Sequence, residues 1–317
     1  MEEFNDGKNS PSSLKLRPTR ISAISHLLIG IGLFIICVSS LSFLAALGFG
    51  IDLKELTGGG GFIGFFKNSP EALKIFVFLS SSLPLILAGI LIAILVKADV
   101  RGYLLLYSPK NLKWFGLSIL FVFLCLPLMG PLLELNKLID FSQFTDLYNS
   151  LMANEDANNK AYEAMMGNKS IFGLLTSLLF MALLPAIAEE LFFRGFLMNV
   201  FNGIFKNMHV AIIVTAVIFS LIHMQFLKAI PIAFLGVVFG YAVYWTGSIW
   251  TAIAAHFLNN AVVVFQLFYM KDGGYEEVVN SSPSLPTLSL AIITIIVIGL
   301  FYYINKNSNT KTINFYE

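Results

Sequence analysis

IFGLLTSLLFMALLPAIAEELFFRGFLMNVFNGIF, residues 171–205, is an apolar run in which Glu189, Glu190 and Arg194 are the only charged residues. Its length exceeds the ~20 residues that cross a hydrocarbon core as a helix. A charge at that depth costs about 2.5–3.5 kcal/mol on insertion scales, so two adjacent carboxylates there mark a functional site by default. Glu190 and Arg194 stand at i and i+4 with the acid first, the favourable register for an ion pair. Glu189 then points about 100° away around the helix, free to face a cavity. Pro185, four residues earlier, is expected to kink the helix beside the carboxylates.

The rest of the chain has the same character. Of 317 residues 57% are hydrophobic and 12% charged, where soluble domains carry about 25% charged residues. The expected class is therefore all-α, a polytopic transmembrane helical bundle of about eight helices. The predicted spans are residues 21–51, 73–96, 114–133, 171–205, 210–227, 229–245, 249–270 and 288–304. Open sheet is excluded because lipid offers the backbone no partners. The first span is too long for a signal-peptide core and reads as an uncleaved anchor. Residues 134–170 hold six acidic residues and three lysines, with apolar residues at irregular spacing; short amphipathic helices at the membrane interface are expected there.

Organisation follows from these segments: a cytoplasmic tail over 1–20, N-terminal transmembrane helices and loops over 21–170, a core over 171–270, and a loop, last helix and tail over 271–317. Lysine and arginine favour the two tails and the connections between spans 2–3 and 4–5, so both termini are expected in the cytoplasm of a multi-pass inner-membrane protein. A net charge of +1 gives no reason to expect nucleic acid. Cys37 and Cys125 lie in apolar runs without metal-ligand spacing and read as small core residues.

Two of the four histidines, His26 and His209, fall near span ends, where an imidazole is unremarkable. His223 in IFSLIHMQF and His256 in WTAIAAHFLNNAVVV lie deep in apolar sequence. His256 and Asn260 are i and i+4 and share a helix face. Helix arithmetic at ~1.5 Å per residue allows Glu189, His223 and His256 to meet at one depth. One carboxylate and two imidazoles in a walled cavity suit water activation: Glu189 as base, His223 sharing the proton or orienting the water, and His256 with Asn260 donating to an oxyanion. The same Glu189, His223 and His256 could instead hold a zinc ion that supplies hydroxide. Without HExxH, the sequence leaves both open. No GxSxG is present, so a serine nucleophile lacks support.

Three motifs, Glu189-Glu190-Leu-Phe-Phe-Arg194, Phe219-Ser-Leu-Ile-His223 and His256-Phe-Leu-Asn-Asn260, follow one another on separate predicted spans. The set resembles the CPBP family, the CAAX proteases and bacteriocin-processing enzymes also called Abi proteins. The resemblance implies an intramembrane endopeptidase acting on a peptide or protein substrate at the bilayer. Carried over by motif, Glu189 and His223 would activate the water, and His256 and Asn260 would hold the oxyanion or complete a metal site. Glu190, Arg194 and Phe219 would support them. A non-catalytic immunity or scaffold protein on the same fold is the second reading. A transporter is the third, disfavoured because the intramembrane polar residues are confined to spans four to seven and no internal repeat is evident.

Overall fold

The computed structural model describes residues 20–51, 61–66, 68–139, 145–167, 169–269 and 286–308. No strand occurs among them. The expected cytoplasmic tail and the polar loop after residue 270 lie outside the described residues. The longer helices are α1 (Arg20–Phe49), α2 (Pro70–Leu95), α3 (Leu112–Asn136), α4 (Thr145–Met166), α5 (Ile171–Phe205), α6 (Met208–Ile222), α7 (Ala229–Thr246), α8 (Ile249–Tyr269) and α9 (Thr287–Asn307). Seven of them, all but α4 and α6, are long and apolar enough to cross a membrane. The chain is a multi-pass membrane protein, and the eight expected spans reappear as these seven plus the shorter α6.

α5 is the axis of the bundle and packs against α1, α2, α6 and α8. Every residue from Glu190 to Phe201 is buried. Bulky side chains make this possible by meeting glycines: the Phe196 ring lies where a Cβ on Gly30 of α1 would be, and Gly89 of α2 faces the backbone at Leu191. Small residues let helix backbones approach closely in lipid, where apolar surface alone gives no drive to associate. The same device joins α6 to α7. A Cβ on Gly236 would fall 2.9 Å from the Ala216 Cβ, and one on Gly240 2.8 Å from Ile212 Cγ2.

The kink expected at Pro185 takes a particular form. Pro185 is the second residue of Leu184–Glu190, directly after a π-helical stretch, Leu178–Leu183. Widening the turn moves the preceding carbonyls away from a ring that cannot donate a hydrogen bond. α2 repeats the arrangement, with π-helical Phe78–Ser82 before Pro84. A second π-helical stretch in α5, Leu191–Leu197, follows the carboxylates.

Two expectations need correcting. The fifth span does not run from 210 to 227. α6 ends at Ile222 after 15 residues, about 22 Å, and the backbone turns through Met224 at φ +53°. The cause is local: His223 Nδ1 lies 2.7 Å from the Phe219 carbonyl oxygen and caps the last turn. The described residues between 145 and 167 likewise form one 22-residue helix, α4, rather than several short ones. α4 packs on α2, the start of α5 and α8. It is tied by a Glu155–Lys228 ion pair to the connection between α6 and α7.

Candidate active site

Glu190 is fully buried and anchors the cluster. Its Oε1 accepts from Arg194 Nη1 at 2.8 Å, one turn along α5, and lies 2.8 Å from His256 Nδ1 on α8. Arg194 Nη2 donates to the Gly236 carbonyl of α7 at 3.0 Å. The close approach at Gly236 therefore serves two ends, docking α6 on α7 and supplying an acceptor. The guanidinium is held between two rings, 4.6 Å from the Phe219 centroid and 5.5 Å from that of Phe239. Cation–π attraction of this kind strengthens once both groups leave water. Phe239 also stacks on the His256 ring at 4.7 Å.

Because a carboxylate only accepts and a carbonyl only accepts, both histidines donate through Nδ1, His256 to Glu190 and His223 to Phe219. Their Nε2 atoms both turn to Glu189, each 3.7 Å from its Oε2. Glu189 Oε2 is buried and has no hydrogen-bond partner among the described residues. An orphaned carboxylate oxygen between two imidazoles has room for a bridging water, which would satisfy all three.

This opening belongs to a cavity of about 170 Å³ lined by Glu189, His223, His256 and Asn260, and by residues of α2 and α4. At ~30 Å³ per water it holds several waters or part of a peptide. Glu189 and His223 are partly accessible, with 19% and 28% of their side chains exposed, while Glu190 and Arg194 are sealed. The Asn260 Oδ1 accepts from Asn259 Nδ2 at 3.2 Å, which leaves the Asn260 amide group as a donor in the cavity wall.

All seven residues singled out in the sequence thus fall in one place: Glu189, His223, His256 and Asn260 on the cavity, Glu190, Arg194 and Phe219 directly behind it. His26 and His209 do not join them; they lie beside Tyr103 and Tyr241. Sequence reasoning missed Phe239, Gly236 and Tyr162. The first two sit in an apolar span with nothing to distinguish them, and Tyr162 lies in the polar stretch before α5. Ser220 is spent on the Ala229 carbonyl, in keeping with the absence of a serine motif.

Zinc would require Glu189, His223 and His256 to converge as ligands. Their chemistry suits it, since both Nδ1 atoms are engaged and both Nε2 atoms are turned toward the carboxylate. The arrangement does not: among the described residues no group of three or more His, Cys, Asp or Glu side chains is placed to hold a metal ion.

A relative from Bacillus subtilis (strain 168), described as uncharacterized protein YpbD, is 29% identical over 106 residues, which is 32% of this chain. The match spans about half, 51%, of that relative's length. No solved structure matches. Residues 171–262 match the family described as Rce1-like, type II CAAX prenyl endopeptidase. Over that stretch, which carries all seven residues of the three motifs, the chain is similar to the CAAX proteases that those motifs resemble.

Proposed function

We propose that this protein is an intramembrane endopeptidase that hydrolyses a peptide bond with a water activated by Glu189 and His223. One observation carries the reading: Glu189 Oε2, buried and unpartnered among the described residues, faces the Nε2 atoms of His223 and His256 across 3.7 Å each. A water placed there donates one hydrogen to Glu189 and the other to His223, whose Nδ1–H is already spent on the Phe219 carbonyl. Glu189 takes the proton as the water oxygen attacks the scissile carbonyl carbon. The carbonyl oxygen becomes an oxyanion held by His256 and Asn260. As the intermediate collapses, the C–N bond breaks and the leaving amine receives the proton from Glu189, which regenerates the base.

Glu190 sets His256 up for this task. The Nδ1 bond to Glu190 fixes the His256 ring so that its Nε2 is turned into the cavity, beside Glu189 and Asn260. The positions of the bases favour both termini in the cytoplasm, and the substrate is a peptide or protein reached within or at the bilayer.

The test compares peptides from membranes and culture medium of cells producing the wild type or Glu189→Ala. Peptides that depend on Glu189 identify substrate and cut site, whereas identical peptide sets reject the proteolytic reading in favour of a scaffold. With a purified substrate, Glu189→Ala and His223→Ala should each abolish cleavage while leaving the folded protein intact. Metal analysis of the wild type beside His223→Ala and His256→Ala decides the zinc alternative: a stoichiometric metal lost in both variants establishes it.

A further inference from the structure

Three consecutive serines, Ser80, Ser81 and Ser82, close the π-helical stretch Phe78–Ser82 of α2. That stretch packs on Leu184–Glu190 of α5, the segment that ends in the two carboxylates, although α2 lies outside the family-matched residues. A serine inside a helix commonly returns its hydroxyl to a carbonyl one turn back. Ser80 does so to Phe76 at 2.8 Å, and Ser81 to Val77 at 2.6 Å. Ser82 breaks the pattern. It is 5% exposed and lines the cavity beside Glu189, His223, His256 and Asn260, yet its hydroxyl has no hydrogen-bond partner among the described residues. Nor is that oxygen sealed off as Glu189 Oε2 is; the cavity is the open space it borders.

A peptide drawn into this cavity takes backbone N–H and C=O groups out of water, and each then needs a partner inside the protein. His256 and Asn260 meet the carbonyl under attack, and the peptide groups next to it need partners of their own. A hydroxyl both donates and accepts, so Ser82 can serve either half of such a group. Resting on the proteolytic reading above, we infer that Ser82 is a substrate-contacting residue, its hydroxyl hydrogen-bonding a backbone peptide group beside the scissile bond. The contact holds the peptide in register against Glu189. Widened helical turns of this kind are frequent at functional sites. A purely structural role is the competing account, since Ser82 also sits where α2 meets α5 and a small side chain there helps the two helices approach.

Four proteins separate these accounts: the wild type, Glu189→Ala, Ser82→Ala and Ser80→Ala, each purified in detergent and given a pool of random-sequence, fluorescence-quenched decapeptides. Kinetic constants are then measured on one peptide that the wild type cleaves. Ser82→Ala keeps the small side chain and loses only the hydroxyl. Its KM should rise about fivefold, the scale of one net hydrogen bond, with kcat unchanged because the bond is made to bound substrate and transition state alike. Its thermal midpoint should hold, because the hydroxyl has no partner within the protein to lose. Ser80→Ala removes a hydroxyl from the same stretch that is turned back on the helix, and its KM should match the wild type. A wild-type KM in Ser82→Ala, or a rise that Ser80→Ala shares or that comes with a lower midpoint, would make Ser82 a packing residue and overturn the inference alone. A wild type no faster than Glu189→Ala would remove the proteolytic reading, and the role given to Ser82 with it.

Discussion

Glu190 Oε1 serves two donors at once, Arg194 and His256, in a place sealed from solvent. Removing one partner of such a buried pair strands the other, at a cost of about 3–5 kcal/mol, whereas replacing both with apolar groups is often close to neutral. Arg194→Ala should therefore lower stability by about that amount, read as an earlier unfolding midpoint in a denaturant titration. The double variant Glu190→Leu/Arg194→Leu should recover most of the loss and still be inactive, because His256 loses its acceptor. This separation of stability from activity distinguishes a positioning role for Glu190 from a general structural one. The residues themselves were legible in the sequence because a charge in an apolar run stands out. Phe239 was not, although it stacks on His256 and flanks Arg194, since an aromatic in a membrane span carries no signal of what it touches.

At the scale of elements, the spans could be read from length and hydropathy, but their ends could not. α6 stops where the His223 ring meets the Phe219 carbonyl, and side-chain capping of this kind leaves no mark on an apolar pattern. Asn136 reinforces the turn that follows, donating to the Phe226 carbonyl at 3.0 Å and accepting from the Ile230 backbone at 2.8 Å. The α6–α7 seam offers a paired test. At Gly236 an added methyl meets the Ala216 Cβ and Cα, and at Gly240 it meets the stiff β-branch of buried Ile212. Each Gly→Ala change should thus destabilise by about 1–3 kcal/mol, read by thermal unfolding of the two variants side by side. Gly236→Ala should in addition lower activity, because it displaces the carbonyl that Arg194 uses.

A second element depends on pH. Asp99 caps the short helix Val100–Tyr103 and accepts from the Tyr107 hydroxyl at 2.8 Å. The Tyr107 bond first, and the Gly102 amide after it, hold the Asp99 carboxyl below its ordinary value. This connection in turn fixes the start of α8, through the Ile249 amide on the Leu105 carbonyl, the Ser248 hydroxyl on that of Tyr107 and the Trp250 indole on that of Leu106. A depressed acid stabilises the fold above its unfolded-state value, and the contribution is lost as pH falls through the folded-state value. Asp99→Ala should cost about 1 kcal/mol as a lost cap at neutral pH. The gap between variant and wild type should close in acid, as followed by unfolding midpoints across a pH series.

For the whole molecule, the question is how a peptide reaches a cavity that α4 covers. α4 is the most polar of the helices; its single turn-by-turn course went unread in the sequence because its contacts are spread over α2, α5, α8 and the α6–α7 connection. What holds it down is concentrated: the buried Glu155–Lys228 pair joins its middle to the turn that follows His223. Lys228→Ala leaves Glu155 charged and buried with neither oxygen paired, a penalty of about 3–5 kcal/mol that falls on the docked state of α4. Hydrogen exchange followed by mass spectrometry should show the α4 amides of Lys228→Ala exchanging markedly faster, with those of α5 and α8 unchanged. Exchanging the two side chains, Glu155→Lys with Lys228→Glu, should restore slow exchange if the pair is the latch. Fast exchange persisting in the swapped protein would instead place the hold of α4 in its apolar contacts with α2 and α8.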